Sequence, residues 1–172
     1  RLRTLILKDG LTFPEAVEVV RSGAVFTTHT PVPAGIDRFP RELMARYFGS
    51  WTEECGVPFS QLMELGRDPN GSEDLFNMAV LSFRLSGYCN GVSKLHGQTS
   101  KQMFRHLWPG VSFDEVPIHS VTNGIHAATW ISDEMSTLFD RFVLPEWWDA
   151  GTERWGRLDD ASDEDLWRVR EQ

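Results

Sequence analysis

Val25-Phe26-Thr27-Thr28-His29-Thr30-Pro31 and, much further along, Ile118-His119-Ser120-Val121-Thr122-Asn123-Gly124 pass from apolar, strand-forming residues into polar ones within the length of one strand. Each stretch predicts a strand that carries polar side chains to its end. Proline has no backbone N–H, so the first strand should leave its sheet where Pro31-Val32-Pro33-Ala34-Gly35 begins. The second closes on Asn123 before Gly124. In α/β sheets, ligands sit where polar strand ends run into rigid loops. An asparagine there offers a hydroxyl both a donor and an acceptor. Such a pair suits a sugar.

Working outward, Thr12 to Arg21 carries proline and glutamate in a first turn and apolar residues at Ala16, Val19 and Val20. An amphipathic helix ending at Ser22-Gly23 follows from that pattern. A strand from Ala24 to Thr30 then comes after almost no loop, the helix-then-strand order of α/β units. The stretch from Pro31 to Pro40 reads as loop, Arg41 to Phe48 as a short helix closed by Gly49, and Ser50 to Ser72 as an exposed, irregular excursion around a helical Ser60 to Leu65. Phe76 to Ser86 is apolar nearly all round, as a buried helix would be, and Asn77 within it needs a partner. Tyr88 to Ser93 predicts a strand, Lys94 to Leu107 a helix, and Pro117 to Val121 the next strand.

Beyond Gly124 the composition shifts to tryptophans among acidic residues, with Ser132-Asp133-Glu134 capping a helix to Phe142. A boundary is expected near Thr122, giving 1–121 and 122–172. The opening residues, up to Gly10, read as the last turns of a helix, and Ser162 to Gln172 as the first turns of another. Together they suggest a piece of a larger protein.

The 172 residues, 41% of them hydrophobic, are enough for about one domain with a core. A net charge of −8 argues against nucleic acid, whose phosphates need a basic surface. Cys55 and Cys89 form neither a disulfide framework nor a metal spacing, and no apolar run reaches membrane-spanning length. A reduced, cytoplasmic protein without a membrane role is the expectation. The histidines 29, 96, 106, 119 and 126 are not paired at i, i+3 or i, i+4, so no metal site is expected. Phosphate loops, dinucleotide fingerprints and Gly-x-Ser-x-Gly elbows are absent. Spacing alone leaves His29 balanced between a ligand contact and a strand-end cap. It leaves Asn90 and Asn123 as turn residues before glycine. His96 reads as a satisfied structural histidine.

Three longer strings sharpen this. VFTTHTPVPAGIDRFP at 25–40, FNMAVLSFRLSGYCNGVSKLHG at 76–97 and PIHSVTNGIHAATW at 117–130 resemble, in order and interval, the α-glucan phosphorylases, in particular their shorter bacterial branch. The resemblance covers about Leu11 to Trp130. It implies a GT-B architecture of two Rossmann-like domains, with this chain as the last part of the first domain, the hinge and the start of the second. It also implies retaining phosphorolysis of terminal α-1,4-glucosyl units to glucose 1-phosphate, with α-1,4-glucan and inorganic phosphate as partners, and it allows a homo-oligomer.

By the same resemblance, His29 hydrogen-bonds the 6-hydroxyl of the terminal glucose and turns its main-chain carbonyl to the reacting centre. Asn123 binds the same hydroxyl, and Thr30 and Gly124 belong to the same substrate motifs. Asn90, Gly91 and Val92 support the cleft. Pyridoxal phosphate is implied as cofactor, bound to a lysine with no counterpart among these positions, so the chain alone should be inactive. Larger relatives continue the second motif with Thr-Pro-Arg-Arg-Trp, where this chain has His126-Ala127-Ala128-Thr129-Trp130, and no arginine carries over. Their acidic gate loop is replaced by Pro31 to Gly35. Two rival readings use the same features: a GT-B transferase taking a nucleotide sugar, and a glucan-binding module without catalysis.

Overall fold

A computed structural model of the chain describes residues 1–30 and 32–171. Pro31, which ends the first predicted strand, and Gln172, at the end of the last predicted helix, lie outside the described residues. In chain order the elements are α1 (Leu2–Leu7), α2 (Phe13–Ser22), β1 (Val25–Thr28), β2 (Arg38–Pro40), α3 (Arg41–Glu54), α4 (Phe59–Leu65), β3 (Leu75–Asn77), α5 (Met78–Arg84), β4 (Tyr88–Gly91), α6 (Lys94–Phe104), β5 (His119–Ser120), α7 (Ala127–Trp130), α8 (Asp133–Phe142), α9 (Thr152–Trp155) and α10 (Asp163–Glu171). Short 3-10 turns join several of them. The result is a helix-rich α/β protein with a few parallel strands, dividing into compact units Arg1–Asn123 and Gly124–Gln172.

The first unit is organised by a three-stranded sheet in the order β1-β4-β5, parallel throughout. Thr28 pairs with Gly91 and Gly91 with Ser120, so the three carboxyl ends stand in one row. Beneath the sheet, Ala79, Phe83, Cys89, Phe104, Val116 and Ile118 form a buried cluster. Phe83 is its centre, with ring centroids 4.9 Å from Phe26, 4.7 Å from Phe104 and 5.5 Å from Trp108. Such aromatic pairs add about 0.5–1.5 kcal/mol each to the burial of their area. A second cluster gathers Met44, Met63 and Phe76, with Phe39, Phe59, Met78 and Leu81 packed against it.

Several expectations need correction. The helix from Arg41 does not stop at Gly49 but runs to Glu54. A glycine in a helix costs about 1 kcal/mol. Here burial of Met44 and Thr52 and the edge-on packing of Trp51 against Phe13 outweigh it. The stretch from Ser50 to Ser72 is no exposed excursion, because Cys55, Val57, Leu62 and Met63 are buried. The Pro31 to Pro40 segment is not all loop. It contains a 3-10 turn at Pro33–Gly35 and β2, which pairs antiparallel with β3 so that Phe39 faces Phe76 across the ribbon.

The predicted buried helix from Phe76 starts two residues later. Phe76 and Asn77 belong to β3, and Asn77 is the N-cap of α5, its side-chain oxygen accepting from the N–H groups of Ala79 (2.9 Å) and Val80 (3.3 Å). Its amide nitrogen donates to Asp68 at 3.2 Å, and Asp68 also takes His106 Nε2 at 2.8 Å. The partner that Asn77 needs is therefore the helix it starts. The parallel strands are shorter than predicted, two to four residues each.

The second unit is helical. Ser132 caps α8 by accepting from Met135 N–H at 3.2 Å, as its sequence predicts. Its core is aromatic: Phe139 meets Trp147 and Trp155 edge-on at 5.2 and 5.1 Å, and buried Trp147 donates its indole N–H to Ser136 at 3.2 Å.

Candidate functional site

Parallel strands expose their last carbonyls and the loops that follow at one edge, and ligands of such sheets bind there. At this edge β1 delivers His29, β4 delivers Asn90, Gly91 and Val92, and β5 leads through Val121 and Thr122 to Asn123. His29 is exposed, one residue past β1, and Thr30 is half-buried with its methyl over Gly35. Asn123 is exposed, while its backbone N–H donates to the Val92 carbonyl at 3.2 Å. Val121 N–H likewise donates to Gly91 O at 3.0 Å. His29 thus lies one residue past β1 and Asn123 three residues past β5, the two strands that flank β4. Gly124 is exposed and is the first residue of the second compact unit.

Asn90 behaves differently from Asn123. It is buried inside β4, where Thr27 Oγ1 donates to its Oδ1 at 3.1 Å and its Nδ2 donates to Gly91 O at 3.3 Å. A turn at Asn90-Gly91 is thereby ruled out, and its amide is spent within the sheet. Gly91 is needed for close approach: a Cβ there would stand 2.8 Å from Gly97 N. Gly97 in turn presses on β5, where its own Cβ would stand 3.1 Å from His119 O. A pair of glycines therefore lets α6 lie backbone to backbone on the sheet ends.

Residue spacing alone did not mark Gly97 or Ser93 as parts of this edge. Ser93 caps α6 by accepting from His96 N–H at 3.1 Å. The Ser93-to-His96 spacing just after a predicted strand was the available signal. Cys89, directly behind the edge, is held as a thiol, its pKa pushed up to about 11 by burial. Burial also raises Cys55. Neither is a nucleophile at neutral pH.

Among the described residues no group of three or more His, Cys, Asp or Glu side chains could hold a metal ion, and no helix is long and apolar enough to cross a membrane. Three other hollows differ in character. A 470 Å³ groove lined by residues such as Phe48, Trp51, Leu62 and Leu85 is mostly apolar, with Arg1 and Arg3 on its wall. An open 500 Å³ groove along β5 and α6 is polar, with Tyr88 and His119 stacked at 4.8 Å beside Lys94 and Lys101. In the second unit a 630 Å³ cleft is walled by Trp147, Trp148 and Trp155.

The lysines do not fit the attachment of pyridoxal phosphate. Lys8 and Lys94 are exposed, and Lys101 donates its ammonium to Asp114 O at 2.7 Å. Forming an imine calls for an amine desolvated enough to lose its proton. None of the three has that setting.

No protein-family model matches the sequence. Curated relatives do. The chain is 43% identical over 165 residues, 95% of its length, to the maltodextrin phosphorylase of Thermococcus litoralis, of which this covers 19%. It is 41% identical over its whole length to the glycogen phosphorylase of Mycobacterium tuberculosis, covering 20% of that protein. To the glycogen phosphorylase of Aquifex aeolicus it is 33% identical over 94% of its length, covering 23%. The chain spans about a fifth of the length of these relatives. Similarity carried along the entire sequence at these identities means that the chain belongs to the glycogen and maltodextrin phosphorylase family.

Proposed function

We propose that this chain contributes the glucose-holding part of an α-1,4-glucan phosphorylase active site, on a GT-B framework whose first domain ends near Thr122. The parent reaction is retaining phosphorolysis of a terminal α-1,4-glucosyl unit by inorganic phosphate, giving glucose 1-phosphate. The observation that supports the proposal is that His29 and Asn123 follow the carboxyl ends of β1 and β5, the two strands flanking β4.

In this reading His29 and the Asn123 amide hold one glucose hydroxyl from two directions. Fixing the ring orients the anomeric carbon toward the attacking phosphate, which lowers the entropic part of the barrier. Cleavage builds positive charge on that carbon, and the His29 carbonyl dipole, aimed at it, stabilises the charge. Neither side chain is required to protonate the glycosidic oxygen. Asn90 and Thr27 keep the middle strand rigid beneath the ring.

Pyridoxal phosphate, which the family resemblance implies, finds no attachment lysine in this chain. The test is kinetic. In a complete phosphorylase carrying this sequence, His29→Ala and Asn123→Ala should each cost about 1.5–3 kcal/mol in kcat/KM, the worth of one or two hydrogen bonds to the substrate. Unchanged kcat/KM in a folded variant sinks the assignment of that residue.

A further inference from the structure

We propose that His96 is a positioning residue for Asn123, acting through the backbone of Val92. The proposal rests on the glucose-binding role given to Asn123 above and extends it to a side chain that no substrate would touch. His96 is 8% exposed and sits in the first turn of α6. Its Nδ1 accepts the Val92 N–H at 3.2 Å. The Val92 carbonyl accepts the Asn123 N–H at 3.2 Å. Both backbone groups of Val92 are therefore committed, one to the imidazole and one to the residue that carries the proposed sugar contact.

The imidazole reaches Val92 because Gly91 and Gly97 allow α6 to approach the sheet at backbone contact distance. An N–H donor facing Nδ1 requires that nitrogen to be bare, so the ring proton lies on Nε2. Nε2 points at Ser100 Oγ, 3.5 Å away in a fully buried position. His96 also ties the loop a second way, its own N–H donating to Ser93 Oγ. A histidine that only filled space would make no polar contact with the loop beside Asn123. This one holds that loop by both its backbone and its ring.

Two variants separate positioning from packing. His96→Asn keeps an acceptor at the place of Nδ1, whereas His96→Leu keeps apolar bulk without an acceptor. In the 172-residue chain, His96→Leu should speed hydrogen exchange at the Val92 and Asn123 amides by on the order of tenfold, with the amides of α5 unchanged, and His96→Asn should restore protection. In the complete enzyme His96→Leu should lower kcat/KM for maltooligosaccharide on the order of tenfold, and His96→Asn should recover most of it.

Unchanged exchange at Asn123 in His96→Leu overturns the positioning role whatever Asn123 binds. Equal impairment in both variants overturns it too, since packing alone would then account for His96. Should His96→Leu fail to fold, nitrogen NMR of the unaltered chain decides: a bare Nδ1 hydrogen-bonded to Val92 supports the proposal, and a protonated Nδ1 overturns it. Asn123→Ala serves as reference. If that substitution leaves kcat/KM unchanged, the glucose-binding role fails by itself and takes the functional half of this proposal with it.

Discussion

The ends of β4 and β5 carry the same dipeptide, asparagine before glycine, and use it in opposite ways. At Asn90-Gly91 the side-chain amide is buried, with its oxygen bonded to Thr27 and its nitrogen to the next carbonyl. At Asn123 the side chain is exposed and only the backbone is tied down, by Val92 O. Gly91 has no space for a Cβ, while nothing lies within 4 Å of one on Gly124. Asn-Gly is the commonest short turn signal, yet here one copy is framework and the other is a free polar tip. Position along the strand decides between them. Asn90 lies inside β4, where its amide is taken up by the sheet, whereas Asn123 lies three residues past β5.

Both ends stand on the Phe83 cluster, so the largest expected effect removes that support. Phe83→Ala should lower the stability of the chain by about 3–5 kcal/mol, measured by urea denaturation. A loss under 1 kcal/mol would show that the cluster does not carry the sheet.

The glycines contrast next. Gly91→Ala forces an atom into the Gly97 backbone and should cost about 1–3 kcal/mol, whereas Gly124→Ala should change stability by less than about 0.5 kcal/mol. Equal effects at the two sites would erase the distinction. The asparagines follow. Asn90→Ala removes both hydrogen bonds of a buried amide and should cost about 1–3 kcal/mol of stability. Asn123→Ala should leave stability within about 0.5 kcal/mol while acting on substrate.

The effect that vanishes at neutral pH concerns Cys89, next to Asn90. Its thiol pKa in the fold is about 11, above that of an unfolded thiol, so the unfolded chain loses its proton first as pH rises. Stability should therefore fall gradually between about pH 8.5 and 11, and Cys89→Ser should flatten that slope. A slope unchanged by the substitution would assign it to other groups.

How much of this was legible in the sequence depends on where each signal was generated. The parallel strands and their polar tips showed in local pattern, because apolar residues gave way to polar ones within a few positions. The cap at Ser132 showed too, being a short-range hydrogen bond written in adjacent residues. The β2–β3 ribbon did not, since Arg38–Pro40 and Leu75–Asn77 are far apart in sequence and neither alternates long enough to declare a strand. Gly49 misled as a stop because its local cost was outweighed by tertiary burial of Met44 and Thr52. At the candidate site, His29 and Asn123 were named from motif resemblance. The His96–Val92–Asn123 linkage depends on two glycines meeting across a helix and a sheet, which spacing cannot display.

We propose that His29 and Asn123, which follow the two strands flanking β4, act on one glucose hydroxyl. A double-mutant cycle in the complete phosphorylase measures it most directly, with kcat/KM for His29→Ala, Asn123→Ala and the double variant on the same maltooligosaccharide. With a shared hydroxyl, the double variant loses less than the product of the two single losses, with a coupling of about 0.5–3 kcal/mol. Losses that multiply without coupling would mean that the two residues serve separate tasks, and the shared site would be wrong.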